Sequence, residues 1–177
     1  FAIIWDAKTK KLYGLNASGP SPEGLTLEFF KSKEMKRIPT YGPLAVSVPG
    51  CVEGWFQLHS RFGKLPVAQL LAPTIGYARE GIAVPEAIAD VNRREQASIE
   101  TMDIPEFKEL YMKSGRLPLK GEVFRNPDLA NTLEVIAKKG KDGFYKGEIA
   151  AKIEKHIKGK GGFLAASDLA RYQAEWV

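Results

Sequence analysis

From Val52 to Gly162 the apolar residues recur at three- and four-residue intervals, in runs that open near a proline or close on a glycine. That punctuation commits most of the chain to helices. Val52, Trp55, Phe56 and His59 form the first stripe, with Gly63 where a C-terminal cap belongs. Leu65-Pro66 opens a second helix, with Leu70, Leu71, Ile75 and Ala78 on one face, up to Gly81. Pro85 starts a third, with Ile88, Val91 and Ile99 facing inward, and Ile104 to Met112 gives a shorter fourth. Asn126-Pro127 is a start signal for a helix carrying Leu129, Leu133, Val135 and Ile136 to Gly140. Ile149, Ile153 and Ile157 mark a sixth, ending at Gly159-Lys160-Gly161-Gly162.

The residues before the stripes read differently. Phe1 to Leu15 reads as a hairpin: an apolar strand, the polar connection Asp6-Ala7-Lys8-Thr9-Lys10, then Lys11-Leu12-Tyr13-Gly14-Leu15. Asn16 to Pro22 consists of turn formers except for Ala17. A short helix is expected next, with Ser21 as cap, Pro22 at its first position and Leu25, Leu27, Phe29 and Phe30 on its buried side. Ile38 to Pro49 reads as irregular and extended. Ser167-Asp168 caps a last turn before a strand at Gln173 to Val177. The expected class is α+β, a hairpin followed by about six helices. The apolar runs Phe1–Trp5 and Glu175-Trp176-Val177 read as strands cut mid-sheet, and so as one piece of a larger polypeptide.

Composition narrows the chemistry. With 177 residues, 44% hydrophobic and 27% charged, the chain is suited to a packed core rather than to disorder. A single cysteine, Cys51, excludes an internal disulfide framework, and its place beside Gly50 suits a small buried filler. The cysteine and the two histidines are too few soft ligands for a structural zinc site. His59 lies on an aromatic face and reads as a packed or rim histidine, and His156 as a surface one. No Gly-Lys pair continues into a phosphate-binding loop, so no nucleotide cofactor is expected. The net charge is +5, and Lys152, Lys155, Lys158 and Lys160 cluster near one helix end. Glu148–Lys152 and Glu154–Lys158 at i,i+4 make that face a solvated one, which argues against nucleic acid as a partner. No apolar run reaches the roughly 18 residues of a membrane span, and no basic leader precedes Phe1, which favours the cytoplasm.

Three blocks of residues then resemble one family. The first is Val48-Pro49-Gly50-Cys51-Val52-Glu53-Gly54-Trp55, with Leu58-His59, Arg61-Phe62-Gly63-Lys64-Leu65-Pro66, Leu70-Leu71-Ala72-Pro73 and Ala78-Arg79-Glu80-Gly81. The second is Gly121-Glu122-Val123-Phe124-Arg125-Asn126-Pro127-Asp128-Leu129-Ala130, with Thr132-Leu133 and Ile136-Ala137. The third is Phe144-Tyr145-Lys146-Gly147-Glu148-Ile149-Ala150, with Gly161-Gly162, Asp168-Leu169 and Tyr172. In this order they resemble the γ-glutamyltranspeptidases and their acylase-like relatives among the N-terminal-nucleophile hydrolases.

The resemblance implies a larger α/β/β/α fold whose polypeptide cuts itself into two subunits. The new N-terminal threonine of the small subunit is then the nucleophile, its own α-amine the base. It places this chain in the large subunit: 1–22 as hairpin and substrate loop, 23–172 as a mainly helical region, 173–177 as the start of a return strand. The expected partners are the small subunit or remaining polypeptide and a small amide substrate, with higher oligomers left open. The six threonines here are all internal and match no processing motif, so no catalytic residue is assigned to this chain and alone it should be inert. Glutamyl-binding members carry an arginine in the loop after the second strand. Here Asn16-Ala17-Ser18-Gly19 resembles the lead-in and Pro20 stands at the arginine's place, with Arg37 the next arginine along. Asn16 and Ser18 as hydrogen-bonders and Gly19 as a close-approach backbone are the candidate substrate contacts. The alternatives are a tight connection with no ligand role and, for the whole chain, a non-catalytic helical scaffold.

Overall fold

The computed structural model describes residues 1–177. Five strands are present, β1 (Ala2–Asp6), β2 (Lys11–Asn16), β3 (Ile82–Ala83), β4 (Val123–Phe124) and β5 (Glu175–Trp176). The first five helices are α1 (Leu27–Ser32), α2 (Cys51–Phe62), α3 (Val67–Glu80), α4 (Glu86–Thr101) and α5 (Pro105–Tyr111). The last four are α6 (Pro127–Lys139), α7 (Asp142–Tyr145), α8 (Glu148–Gly159) and α9 (Ala166–Arg171). The six expected stripes are α2 to α6 and α8; the other three helices have four to six residues each. The chain divides into two compact units, one of Phe1–Val67 with Val135–Val177, the other of Ala68–Glu134.

In the first unit β1, β2 and β5 form an antiparallel sheet in that order. The hairpin register pairs Trp5 with Leu12 and Ile3 with Gly14. Its turn closes because Asp6 accepts the Lys8 N–H at 3.0 Å and the Thr9 hydroxyl at 2.8 Å. Strand alternation puts Leu15 in the core and leaves Phe1, Ile3, Trp5 and Leu12 exposed. Against the sheet, the Arg61 guanidinium of α2 lies 3.8 Å from the Tyr13 ring centroid and 4.6 Å from that of Trp176. It thereby fastens β2 and β5 to one helix. The unit's core is Leu15, Val48, Val52, Ile136, Tyr145, Ala150, Leu164 and Leu169. Burial of each large apolar side chain there contributes about 1.5–3 kcal/mol.

Two caps differ from the sequence reading. Helix α1 starts at Leu27, with Thr26 Oγ1 accepting the Phe29 N–H at 3.3 Å, so Ser21 is not its cap. A residue between two prolines is held extended, and Pro22 is fully buried instead of helical. No residue of α1 is buried, although Phe29 meets Phe163 edge-on at 4.8 Å. Helix α9 begins one residue before Ser167, because Asp168 reaches back to accept the Ala165 N–H at 3.0 Å. Cys51, expected inside, is exposed: it opens α2 on the side opposite the buried run Val52-Glu53-Gly54.

The second unit holds the two-stranded sheet of β3 and β4, with Ile82 opposite Phe124. Its buried apolar residues are Val84, Met112, Leu117, Ala130 and Leu133. Ile88 and Val91, expected inward, are 51% and 44% exposed, since no element of this unit covers that face of α4. Asn126 does cap α6, accepting the Leu129 N–H at 3.0 Å.

Candidate functional site

The candidate loop begins where β2 ends, and the chain's glycines dictate its course. Asn16 pairs with Glu175 of β5, and its side-chain oxygen accepts the Ser18 N–H at 3.0 Å, forming an Asx turn. A Cβ on Gly19 would stand 1.8 Å from the Val48 carbonyl oxygen, so only glycine lets the two backbones meet. One residue on, the Pro20 carbonyl accepts the Val48 N–H at 2.9 Å. From the other side, a Cβ on Gly50 would stand 2.0 Å from the Ala17 carbonyl oxygen, and one on Gly54 would stand 2.8 Å from the Ala17 methyl. The first sequence block is therefore the seat on which the loop rests.

That seat is itself held from below. The Tyr145 hydroxyl donates to the Pro49 carbonyl at 2.7 Å and accepts the Glu53 N–H at 3.0 Å, using both its donor and an acceptor position. Burial pushes the Tyr145 hydroxyl up to about 12, so it stays protonated at neutral pH. Glu53 has no exposed surface. Its carboxylate accepts from Lys141 Nζ at 3.0 Å through Oε1, with Oε2 2.8 Å from the same ammonium, and from Gln57 Nε2 at 2.8 Å. Trp176 Nε1 in turn donates to Gln57 at 3.3 Å. A buried carboxylate is tolerated only with such partners. Sequence reading of the third block offered no reason for Tyr145; here it ties α7 to the loop's seat.

Beside the loop lies a cavity of about 280 Å³ lined by Pro20, Ser21, Glu23, Asp168, Arg171 and Tyr172, among others. The Tyr172 hydroxyl is buried without a hydrogen-bond partner, 2.5 Å from the Cβ position of Gly50. Arg171 borders the same cavity as Pro20, a placement that sequence order could not reveal. It is already matched: Nη2 donates to Glu23 at 2.5 Å and to Asp168 at 3.0 Å. Two carboxylates against one guanidinium leave no uncompensated positive charge at this cavity.

Of the three candidate contacts, Asn16 has its side-chain oxygen committed to the turn and Gly19 is packed against Val48. Ser18 is exposed, and its hydroxyl makes no hydrogen bond within the chain. Away from the loop, His59 Nε2 lies 2.7 Å from the Leu65 carbonyl, and its ring fills the space that a Cβ on Gly63 would occupy, 2.4 Å from Cδ2. It secures the end of α2. Lys152 pairs with Glu148 at 2.7 Å and Lys158 with Glu154, as the i,i+4 spacing predicts. No helix is long and apolar enough to cross a membrane.

Comparison with known proteins gives this geometry its context. Residues 1–177 match the sequence profile described as gamma-glutamyltranspeptidase. The glutathione hydrolase-like YwrD proenzyme of Bacillus subtilis is 32% identical over 178 residues, covering 99% of this chain and 33% of that protein. The crystal structure of cephalosporin acylase from Bacillus halodurans superposes with a TM-score of 0.91 at 37% identity, over 99% of this chain and 33% of that one. The Helicobacter pylori γ-glutamyltranspeptidase structure gives 0.88 at 30%, over 99% of this chain and 50% of its own. The chain thus spans about a third of the length of the first two relatives. Matched along its whole length and sharing its fold with a transpeptidase and an acylase, the chain belongs to the γ-glutamyltranspeptidase family.

Proposed function

We propose that this chain is part of the large subunit of an amide-cleaving enzyme that transfers or hydrolyses an acyl group through an N-terminal threonine outside these residues. Residues 1–22 serve as hairpin and substrate loop, 23–172 as the helical region, and 173–177 as the start of a return strand. The remaining polypeptide covers the exposed Phe1, Ile3, Trp5 and Leu12 face of the sheet. The threonine hydroxyl, activated by its own α-amine, attacks the amide carbonyl. The acyl-enzyme is then resolved by water or an acceptor amine. This chain's share is to hold the acyl group in position, where small displacements cost large factors in rate.

The observation that carries this reading is the loop Asn16–Pro22, fixed by backbone contacts that only glycines permit and bordering a cavity. The same loop sets the specificity. A free carboxylate taken from water needs a charged partner, and leaving it unpaired costs on the order of several kcal/mol. Ser18 and backbone amides are neutral, and Arg171 is held by two carboxylates. The acyl group is accordingly an uncharged one, with γ-glutamyl a poor substrate. Intact-mass measurement of the full-length gene product tests the class: two self-cleaved chains, the smaller beginning with threonine, are expected. A single uncut chain would refute it.

A further inference from the structure

The second unit contains a cavity of about 290 Å³ to which the acyl-transfer reading assigns no role. Its charged lining is Lys113, Arg116, Glu122 and Arg125, and its aromatic wall is Tyr111 and Phe124. The wall is a stack: the Tyr111 and Phe124 rings lie 5.1 Å apart at 8°, and Phe107 stacks on Tyr111 at 4.5 Å. Arg116 and Glu122 satisfy each other in a bidentate pair of 2.6 and 2.9 Å. The Arg116 guanidinium and the Leu119 N–H hold the Glu122 carboxyl down to about 2, so it stays charged and occupied.

Two cations are left over. Arg125 Nε donates to the Glu80 carbonyl at 2.7 Å, and its stem crosses Gly81, where a Cβ would stand 2.7 Å from Cγ. Gly81 also has φ +98°, a conformation that favours glycine. The guanidinium is therefore anchored by one nitrogen while its two terminal amino groups make no bond within the chain. Lys113 has no hydrogen bond or ion pair. A pre-oriented guanidinium fork, an unpaired exposed ammonium and an aromatic wall around one small cavity are complementary to an anion carried on a planar ring. The everyday role of such groups, a lysine near a helix C-terminus and an arginine bracing a strand, explains neither their convergence on one cavity nor the unused fork.

We propose that this cavity binds a small ring-bearing oxyanion, a carboxylate or phosphate, with Arg125 as the bidentate partner, Lys113 as the second charge and the ring against Phe124. This goes beyond the acyl-transfer reading and does not depend on it. The test is calorimetric titration of the full-length protein at low salt with phenyl phosphate, benzoate and inorganic phosphate. At least one ring anion should bind saturably and about tenfold or more tighter than inorganic phosphate. Lys113→Gln, a change at an exposed side chain, should weaken binding about fivefold without shifting the melting temperature. Arg125→Lys, which keeps the charge and loses the fork, should weaken it about tenfold. Absence of saturable binding at about 10 mM phenyl phosphate and benzoate would overturn the proposal, that being weaker than the millimolar class. So would affinity unchanged in both variants, or equal affinity for all three anions. Amide cleavage should be unaffected by Lys113→Gln, which separates this proposal from the acyl-transfer reading.

Discussion

The loop and its seat in the unit of Phe1–Val67 with Val135–Val177 use glycines and carboxylates differently from most of the unit of Ala68–Glu134. In the first, the glycines of the loop and its seat are contact points: Gly19, Gly50 and Gly54 each stand where a methyl group would strike another segment of backbone or side chain, while Gly42, Gly147, Gly159 and Gly161, away from the loop, stand open. In the second, Gly76, Gly115 and Gly121 face open space, with nothing within 4 Å of a Cβ, and Gly81 is the crowded one, against Val123 and Arg125. Carboxylates divide likewise. Glu53 and Asp168 of the first unit are buried and multiply bonded, whereas Asp90, Glu86 and Glu122 of the second form surface pairs with Arg93, Lys120 and Arg116. Surface pairs contribute about 0–1 kcal/mol, so these three are replaceable in a way that Glu53 and Asp168 are not. Tight backbone contact and buried polar groups concentrate around the Asn16–Pro22 loop and its seat.

Glycine-to-alanine changes at Gly50 and at Gly76 should therefore give different signs. Gly50→Ala is expected to be the most damaging change, since neither the Ala17 carbonyl nor the Tyr172 hydroxyl can yield 1 Å without moving the loop. A loss of more than about 3 kcal/mol, or failure to fold, should appear in denaturant unfolding. A melting curve like that of the wild type would remove the basis for calling Gly50 a contact point.

Tyr145→Phe keeps the ring and deletes the bridge between Pro49 and Glu53, which should cost about 1–3 kcal/mol. The pH dependence gives a sharper reading. Because the folded-state value of about 12 lies above the ordinary 10.0, stability from this group is complete below pH 10 and is lost as pH rises toward 12. That alkaline limb should be smaller in Tyr145→Phe. An unchanged limb would assign it to other groups.

Gly76→Ala lies inside α3 with open space around it and should stabilise the second unit by about 0.5–1 kcal/mol. Destabilisation there would erase the contrast between the units.

The helical stripes and the hairpin were legible in the sequence because period, proline and glycine act locally; α2 to α6 and α8 follow from them. Caps were less so: Thr26 rather than Ser21 accepts the first free N–H of α1, and the start of α9 is set one residue before Ser167 by Asp168 accepting the Ala165 N–H, since a cap is decided by which nearby acceptor reaches an N–H first. Helix α7, of four residues, is too short to carry a stripe. In the candidate site, the turn-forming character of Asn16 to Pro22 could be read, but not its seat. Gly19 meets Val48, Ala17 meets Gly50, and Arg171 reaches Glu23 across 148 positions, contacts that no window of sequence displays. Cys51 failed for a related reason: α2 turns it outward while Val52 and Glu53 turn in.

The central claim is that a loop without an uncompensated cation selects an uncharged acyl group. Its most direct test is kcat/KM of the full-length protein on a γ-glutamyl amide and on an uncharged acyl amide of similar length, for the wild type and for Pro20→Arg. Pro20 is exposed, and its only backbone bond is made through the carbonyl, which arginine retains. The wild type should prefer the uncharged amide, and Pro20→Arg should shift the ratio toward γ-glutamyl by about tenfold, the worth of one charge-assisted pair. A wild type that strongly prefers γ-glutamyl would contradict it, because some other cation would then be meeting the carboxylate.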